Sequence, residues 1–140
     1  MTAALYALLS AFFAALVAIF AKIGIKDVDS NLAVAIRTVI IVLFAWGIVF
    51  VQGNASDVFK ISKHTLTFLI LSAIATGLSW LFYYHALQLG EASRVAPIDK
   101  LSIALTLLFA FIFLGEQPTL GNVTGGVLVT LGVLATVFLK

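Results

Sequence analysis

Five ionisable side chains of the 140-residue chain fall inside, or at the edge of, stretches that are otherwise apolar: Lys22, Arg37, His85, Asp99 and Lys100. Such residues can carry a proton, hold a charged solute or pair with one another. Each is costly where lipid is the solvent, about 2.5 to 3.5 kcal/mol for Arg, Lys or Asp at the centre of a span. One carboxylate among three fixed cations makes an electropositive set. Asp99 leads as a substrate- or proton-binding candidate, because a carboxylate cannot reach toward water as Lys and Arg can. Asp99, Ser102, Thr106 and Ala110 fall on one side of a helix, as do Ser72, Thr76, Ser79 and Tyr83. Two such polar stripes suggest a hydrated path, with Lys22, Arg37 and Lys100 setting its electrostatics. Trp80 and Tyr83 are placed to stack a solute.

Each of these residues also has a plainer reading. Lys22 is one turn from the end of its segment and can snorkel, although Ala7, Ala11, Ala15 and Ala18 place it on the small-residue side of the helix. Arg37 can snorkel or donate to helix-end carbonyls. His85 reads as interfacial. Asp99 can pair with Arg37 or Lys100 simply to hold the fold. Trp80, Tyr83 and Tyr84 fit an aromatic belt, and Trp46 fits packing.

The elements that carry these residues follow from composition. The chain is 63% hydrophobic and 10% charged, with mean hydropathy +1.21. A soluble domain needs about 25% charged residues to clothe its surface, so a soluble globular fold and a disordered tail are both excluded. The absence of cysteine excludes a disulfide scaffold and thiolate metal sites. A net charge of +2 is too small for a nucleic-acid footprint. An all-α integral membrane protein remains, its partner the lipid bilayer.

A spanning helix needs about 20 apolar residues. Five fit, at about residues 3–24, 32–52, 65–87, 95–115 and 119–139, within a single domain of residues 1–140. The first lacks the basic leader of a signal peptide and reads as retained. The fourth is informative: its uncharged stretch, residues 101–115, reaches only about 22 Å as a helix. To cross, it must start near residue 95, which draws Asp99 and Lys100 into the membrane and puts Pro97 in the first turn. With an odd number of spans the termini lie on opposite faces. Lys22, Arg37, His85, Asp99 and Lys100 then share the level nearer the face opposite the N-terminus. In the loop of residues 53–64, apolar Val58, Phe59 and Ile61 suit an interface. Gly121, Gly125 and Gly132 share one side of the last span and predict a helix-packing or dimer contact. No GxSxG, HExxH or Gly-rich phosphate loop is present, so the sequence points to no enzyme, no metal and no cofactor.

Residues 86–116, ALQLGEASRVAPIDKLSIALTLLFAFIFLGE, resemble the EamA-type branch of the drug/metabolite transporter superfamily. So do FAKIGIKDVDSNLAVAIRTVI at residues 20–40 and the glycine pattern of the last span. The resemblance implies one five-span repeat of a ten-helix inverted-repeat transporter, that is, a half-length member. It implies a secondary transporter of a small polar metabolite or drug-like solute in the cytoplasmic (inner) membrane, working as a homodimer. Inverted symmetry implies opposite insertion of the two copies, with a separately encoded inverted partner as the alternative. Near the loops, Lys26, Arg94 and Lys140 face Lys60 and Lys63 across the membrane, a bias weak enough for dual insertion. The competing function is a structural or accessory membrane protein whose charges only pair helices.

Overall fold

In lipid, each backbone N–H and C=O must find a partner within the protein, and an unbroken apolar run does this as a helix. The computed structural model describes residues 2–139, and among them the regular structure is entirely helical. Helix α1 is Ala3–Gly24, α2 is Ser30–Val51 and α3 is Lys63–Leu89. Two short helices, α4 (Ala92–Asp99) and α5 (Leu101–Phe109), run into a wide π turn, Ala110–Leu114, and α6 is Leu120–Phe138. A 3-10 turn, Ala55–Lys60, lies between α2 and α3. Helices α1, α2, α3 and α6, together with the composite Ala92–Leu114, are long and apolar enough to cross a membrane. The protein is a five-span, multi-pass membrane protein. Its large apolar side chains are mostly exposed, Phe12, Phe44, Phe82 and Phe113 among them. That pattern suits lipid and not water.

The spans begin and end where local chemistry dictates. Asp29 Oδ1 accepts the Asn31 and Leu32 amides at 3.0 Å each, which starts α2 two residues before the apolar run. Thr119 Oγ1 accepts the Asn122 amide at 3.2 Å and starts α6. Gly115, at φ +67°, closes the fourth span in a left-handed conformation that a side chain would strain.

The fourth span departs from expectation in one respect. It starts at Ala92, so Pro97 lies inside α4 and not in its first turn. Without an N–H, and with its ring against the preceding turn, Pro97 interrupts the ladder. The chain tightens just beyond it: the Lys100 amide bonds Pro97 O at 2.9 Å, and the Ile103 amide bonds Lys100 O at 3.0 Å. The membrane helix is therefore broken at Asp99 and Lys100.

Packing divides the chain into two units. One contains the residues up to Ile19 and those from Leu89 onward. There α6 packs on α4 and α5, and Gly126 is buried so tightly that a Cβ would stand 2.8 Å from Leu107 Cδ1. The other unit is residues 20–88, the end of α1 with α2 and α3. Here polar side chains join the elements. Lys22 Nζ donates to Leu87 O at 2.6 Å, Gln88 Nε2 donates to Val28 O at 2.9 Å, and buried Ser30 stands 3.4 Å from His85 Nδ1. These contacts clasp the α1–α2 turn to the last turns of α3.

Candidate functional site

Within the 20–88 unit the site is built around Arg37. It lies seven residues into α2, so about 10 Å from the start of that helix. Helix α3 ends at Leu89, and Trp80 and Tyr84, one turn apart, reach a similar depth on one face. The guanidinium carbon of Arg37 sits 4.2 Å from the centre of the Trp80 ring and 5.2 Å from that of Tyr84. Tyr84 is buried and meets Tyr83 edge-on at 6.4 Å. Two rings over one cation contribute about 0.5 to 2 kcal/mol each. They offset part of the cost of placing an arginine in a span, and none of the cost of an unmet donor. Arg37 Nη1 is buried and makes no hydrogen bond among the described residues, at a cost of about 1 to 3 kcal/mol.

Next to this cluster, α2 and α3 enclose a groove of about 360 Å³ that includes Thr38, Ile41, Leu69, Ser72, Thr76 and Trp80. Thr38 and Thr76 spend their hydroxyl protons on Val34 O and Ser72 O, at 2.7 and 2.8 Å. They therefore turn lone pairs, not protons, toward the space.

In the other unit Asp99 ends α4 and Lys100 occupies the break. Lys100 Nζ lies 3.1 Å from Asp99 Oδ2, and both side chains are partly exposed. Ser102 and Thr106 follow on α5 and are exposed. Lys22, Lys100 and Arg37 thus have three kinds of partner: a helix-end carbonyl for Lys22, a carboxylate for Lys100 and two aromatic rings for Arg37.

Of the residues singled out from the sequence, the structure brings Arg37 and Trp80 into contact and sets Ser72 and Thr76 beside them. It joins Asp99 to Lys100 and gives Lys22 to the end of α3. Tyr84 was read only as an interfacial aromatic, yet it is the second ring over Arg37; its four-residue spacing from Trp80 was the available signal. Gly126, also passed over, makes the close approach inside the chain. A Cβ at Gly125 or Gly132 would meet nothing within 4 Å, and one at Gly121 only its own cap, Thr119 Oγ1, at 4.0 Å. Among the described residues no cluster of three or more His, Cys, Asp or Glu is placed to hold a metal ion.

Residues 1–138 match the EamA-like transporter family. The chain is 47% identical over 129 residues to an uncharacterized transporter encoded in the cobO 3' region of a Sinorhizobium species, a match covering 92% of each chain. It is 30% identical over 101 residues to an uncharacterized protein of Methanocaldococcus jannaschii, covering 66% of this chain and 74% of the relative. No solved structure matches. Five helices long and apolar enough to span a membrane and a family match that runs almost end to end agree: the chain belongs to the EamA-like transporter family.

Proposed function

We infer that the protein is a secondary transporter of a small polar metabolite or drug-like solute across the cytoplasmic membrane. The observation that carries this reading is the set of charged and polar side chains kept within the spans of an EamA-family chain, where lipid would select against them. Asp99 is the substrate or proton site. It lies at a helix break, where the backbone is free to turn toward a solute, and Lys100 sets its charge balance. The excess of cations over carboxylates within the spans favours an anionic or zwitterionic solute. No chemical conversion is part of this function.

One chain supplies one five-helix repeat, so the working unit is a homodimer with the two copies inserted in opposite senses. Gly121, Gly125 and Gly132, with room where a side chain would be, offer a face for that contact. Labelling of a cysteine introduced at Ser56, in the exposed turn between α2 and α3, tests the arrangement. Labelling of every copy from one side of the membrane alone would rule out the antiparallel homodimer.

A second reading keeps the protein as a non-transporting structural partner in the membrane. The bonds from Lys22 to Leu87 O and from Lys100 to Asp99 favour it, because they assign two of the charges to internal pairing. The two readings separate in proteoliposomes. Under the transporter reading, Asp99→Asn lowers gradient-driven solute flux on the order of a hundredfold or more, and cysteines at Thr76, Ser79, Ser102 and Thr106 react with water-borne thiol reagents. Full flux in Asp99→Asn removes Asp99 from the mechanism. Four unreactive cysteines leave the structural reading standing.

A further inference from the structure

A guanidinium that stacks on aromatic rings uses its faces and none of its N–H groups. Its donors lie in the plane of the group, so stacking fixes their direction and leaves them to be satisfied at the edge. At Arg37 the rings of Trp80 and Tyr84 lie 4.2 and 5.2 Å from the guanidinium carbon, and Nη1 is buried with no acceptor among the described residues. The carboxylates of the same unit do not supply one. Asp29 is committed to the start of α2 and Asp57 to Lys60, and Asp27 lies in the turn before α2 begins. The hydroxyls of Thr38 and Thr76 keep lone pairs free to accept, yet neither is within hydrogen-bond reach of Nη1.

We propose that Arg37, held against Trp80 and Tyr84, is a binding site for an oxyanion, a carboxylate or phosphate group joined to an apolar body that lies in the neighbouring groove. The chemistry of the groove sets the second half of that description. Trp80 belongs to both the stack and the groove, and Ile41 and Leu69 offer an apolar wall where free inorganic anions gain little. The planar fork of Arg37 matches two oxygens of one group, which a lysine at the same depth could not do. The oxyanion has two sources, a solute or the phosphate of a lipid headgroup. The solute source rests on the transporter reading above, and it narrows the solute to an amphiphilic carboxylate or phosphate.

The test uses the full chain reconstituted in phosphatidylcholine nanodiscs. The protein has two tryptophans, and Trp46, tilted against Phe50 at 5.8 Å, stands apart from the site. Trp46→Phe therefore leaves Trp80 as the sole reporter. Titration with benzoate is expected to change Trp80 fluorescence saturably. Benzamide, its neutral isostere, and inorganic phosphate, which has no apolar body, are each expected to bind at least on the order of tenfold more weakly. Arg37→Lys keeps the charge and is expected to weaken benzoate binding to a similar extent, and Arg37→Gln to abolish it. The benzoate and benzamide comparison needs no change at Arg37, so it stands even where those variants fold poorly. Replacing part of the phosphatidylcholine with phosphatidylglycerol, without soluble anion, tests the lipid source. A Trp80 response to that lipid alone, lost in Arg37→Gln, keeps the oxyanion site and removes Arg37 from the solute path. Equal response to benzoate and benzamide, or no response to either anion source, overturns the proposal. Solute flux in proteoliposomes is measured on the same protein. Flux without a Trp80 response sinks the oxyanion site and leaves the transporter reading intact, and a response without flux does the reverse.

Discussion

Helices α5 and α6 meet where Gly126 has no side chain and Leu107 fills the space, whereas α2 and α3 are bridged by Arg37 reaching Trp80 and Tyr84, without a comparably close backbone approach. The first pair follows the rule for helices in lipid: with no hydrophobic drive between them, small residues and close van der Waals contact supply the attraction. The second pair stands farther apart and is joined by long polar and aromatic side chains, with a groove beside them. The difference has a functional reading. A groove of about 310 Å³ also lies beside Leu107 and Gly126, but its almost wholly apolar lining resists hydration, while one made of a cation, two rings and threonine lone pairs offers chemistry to something that enters. The pair joined by polar side chains is where a charged or polar ligand gains most.

This contrast predicts opposite sensitivities, best read as unfolding free energies of the purified protein in one mild detergent. Gly126→Leu is expected to destabilise most, by about 2 to 3 kcal/mol, because the added side chain meets Leu107 directly; a cost below about 0.5 kcal/mol would mean that α5 and α6 are not held as described. Lys22→Met preserves bulk and apolar character but removes the charged donor to Leu87 O. It is expected to cost about 1.5 to 2 kcal/mol, and a neutral outcome would show that the α1–α3 clasp contributes nothing beyond packing. Gln88→Leu removes the uncharged bond to Val28 O, and a loss of about 1 kcal/mol is expected from the same melts. Gly125→Ala, one position from Gly126 but facing open space, sharpens the comparison most finely: monomer stability should change by no more than about 0.5 kcal/mol, and in the stabilising direction. If it falls as far as in Gly126→Leu, the two glycines are not on different sides of a packed interface.

The spans were legible because lipid imposes a simple rule on length and polarity, and their observed ends lie within three residues of those read from the sequence. The shortage of uncharged residues in the fourth span also revealed that Asp99 and Lys100 belong to it. The partners of the polar residues were not legible. Whether Asp99 met Arg37 or Lys100, and whether Trp80 joined Tyr83 or Tyr84, depends on the rotation of each helix about its axis, which periodicity leaves open. Gly126 shows the same limit. A four-residue spacing drew attention to Gly121 and Gly125, yet the next residue, about 100° around the helix, is the one that packs. The break beyond Pro97 was hidden for another reason: proline is tolerated at a helix start and disruptive inside one, and three residues of uncertainty in the start decide between the two.

The stacking of Arg37 also sets an order of events during synthesis. Helix α2 enters the membrane first, carrying an arginine whose rings belong to α3, and Trp80 is about 40 residues farther along. At about 5 to 20 residues per second, some 2 to 8 s separate the two. Through that interval Arg37 has neither aromatic partner. Helix α2 withstands the wait because, with Arg37 included, it is the most apolar of the five spans. The extra apolar residues of α2 thus act as a holding force, keeping the arginine in the membrane until α3 arrives.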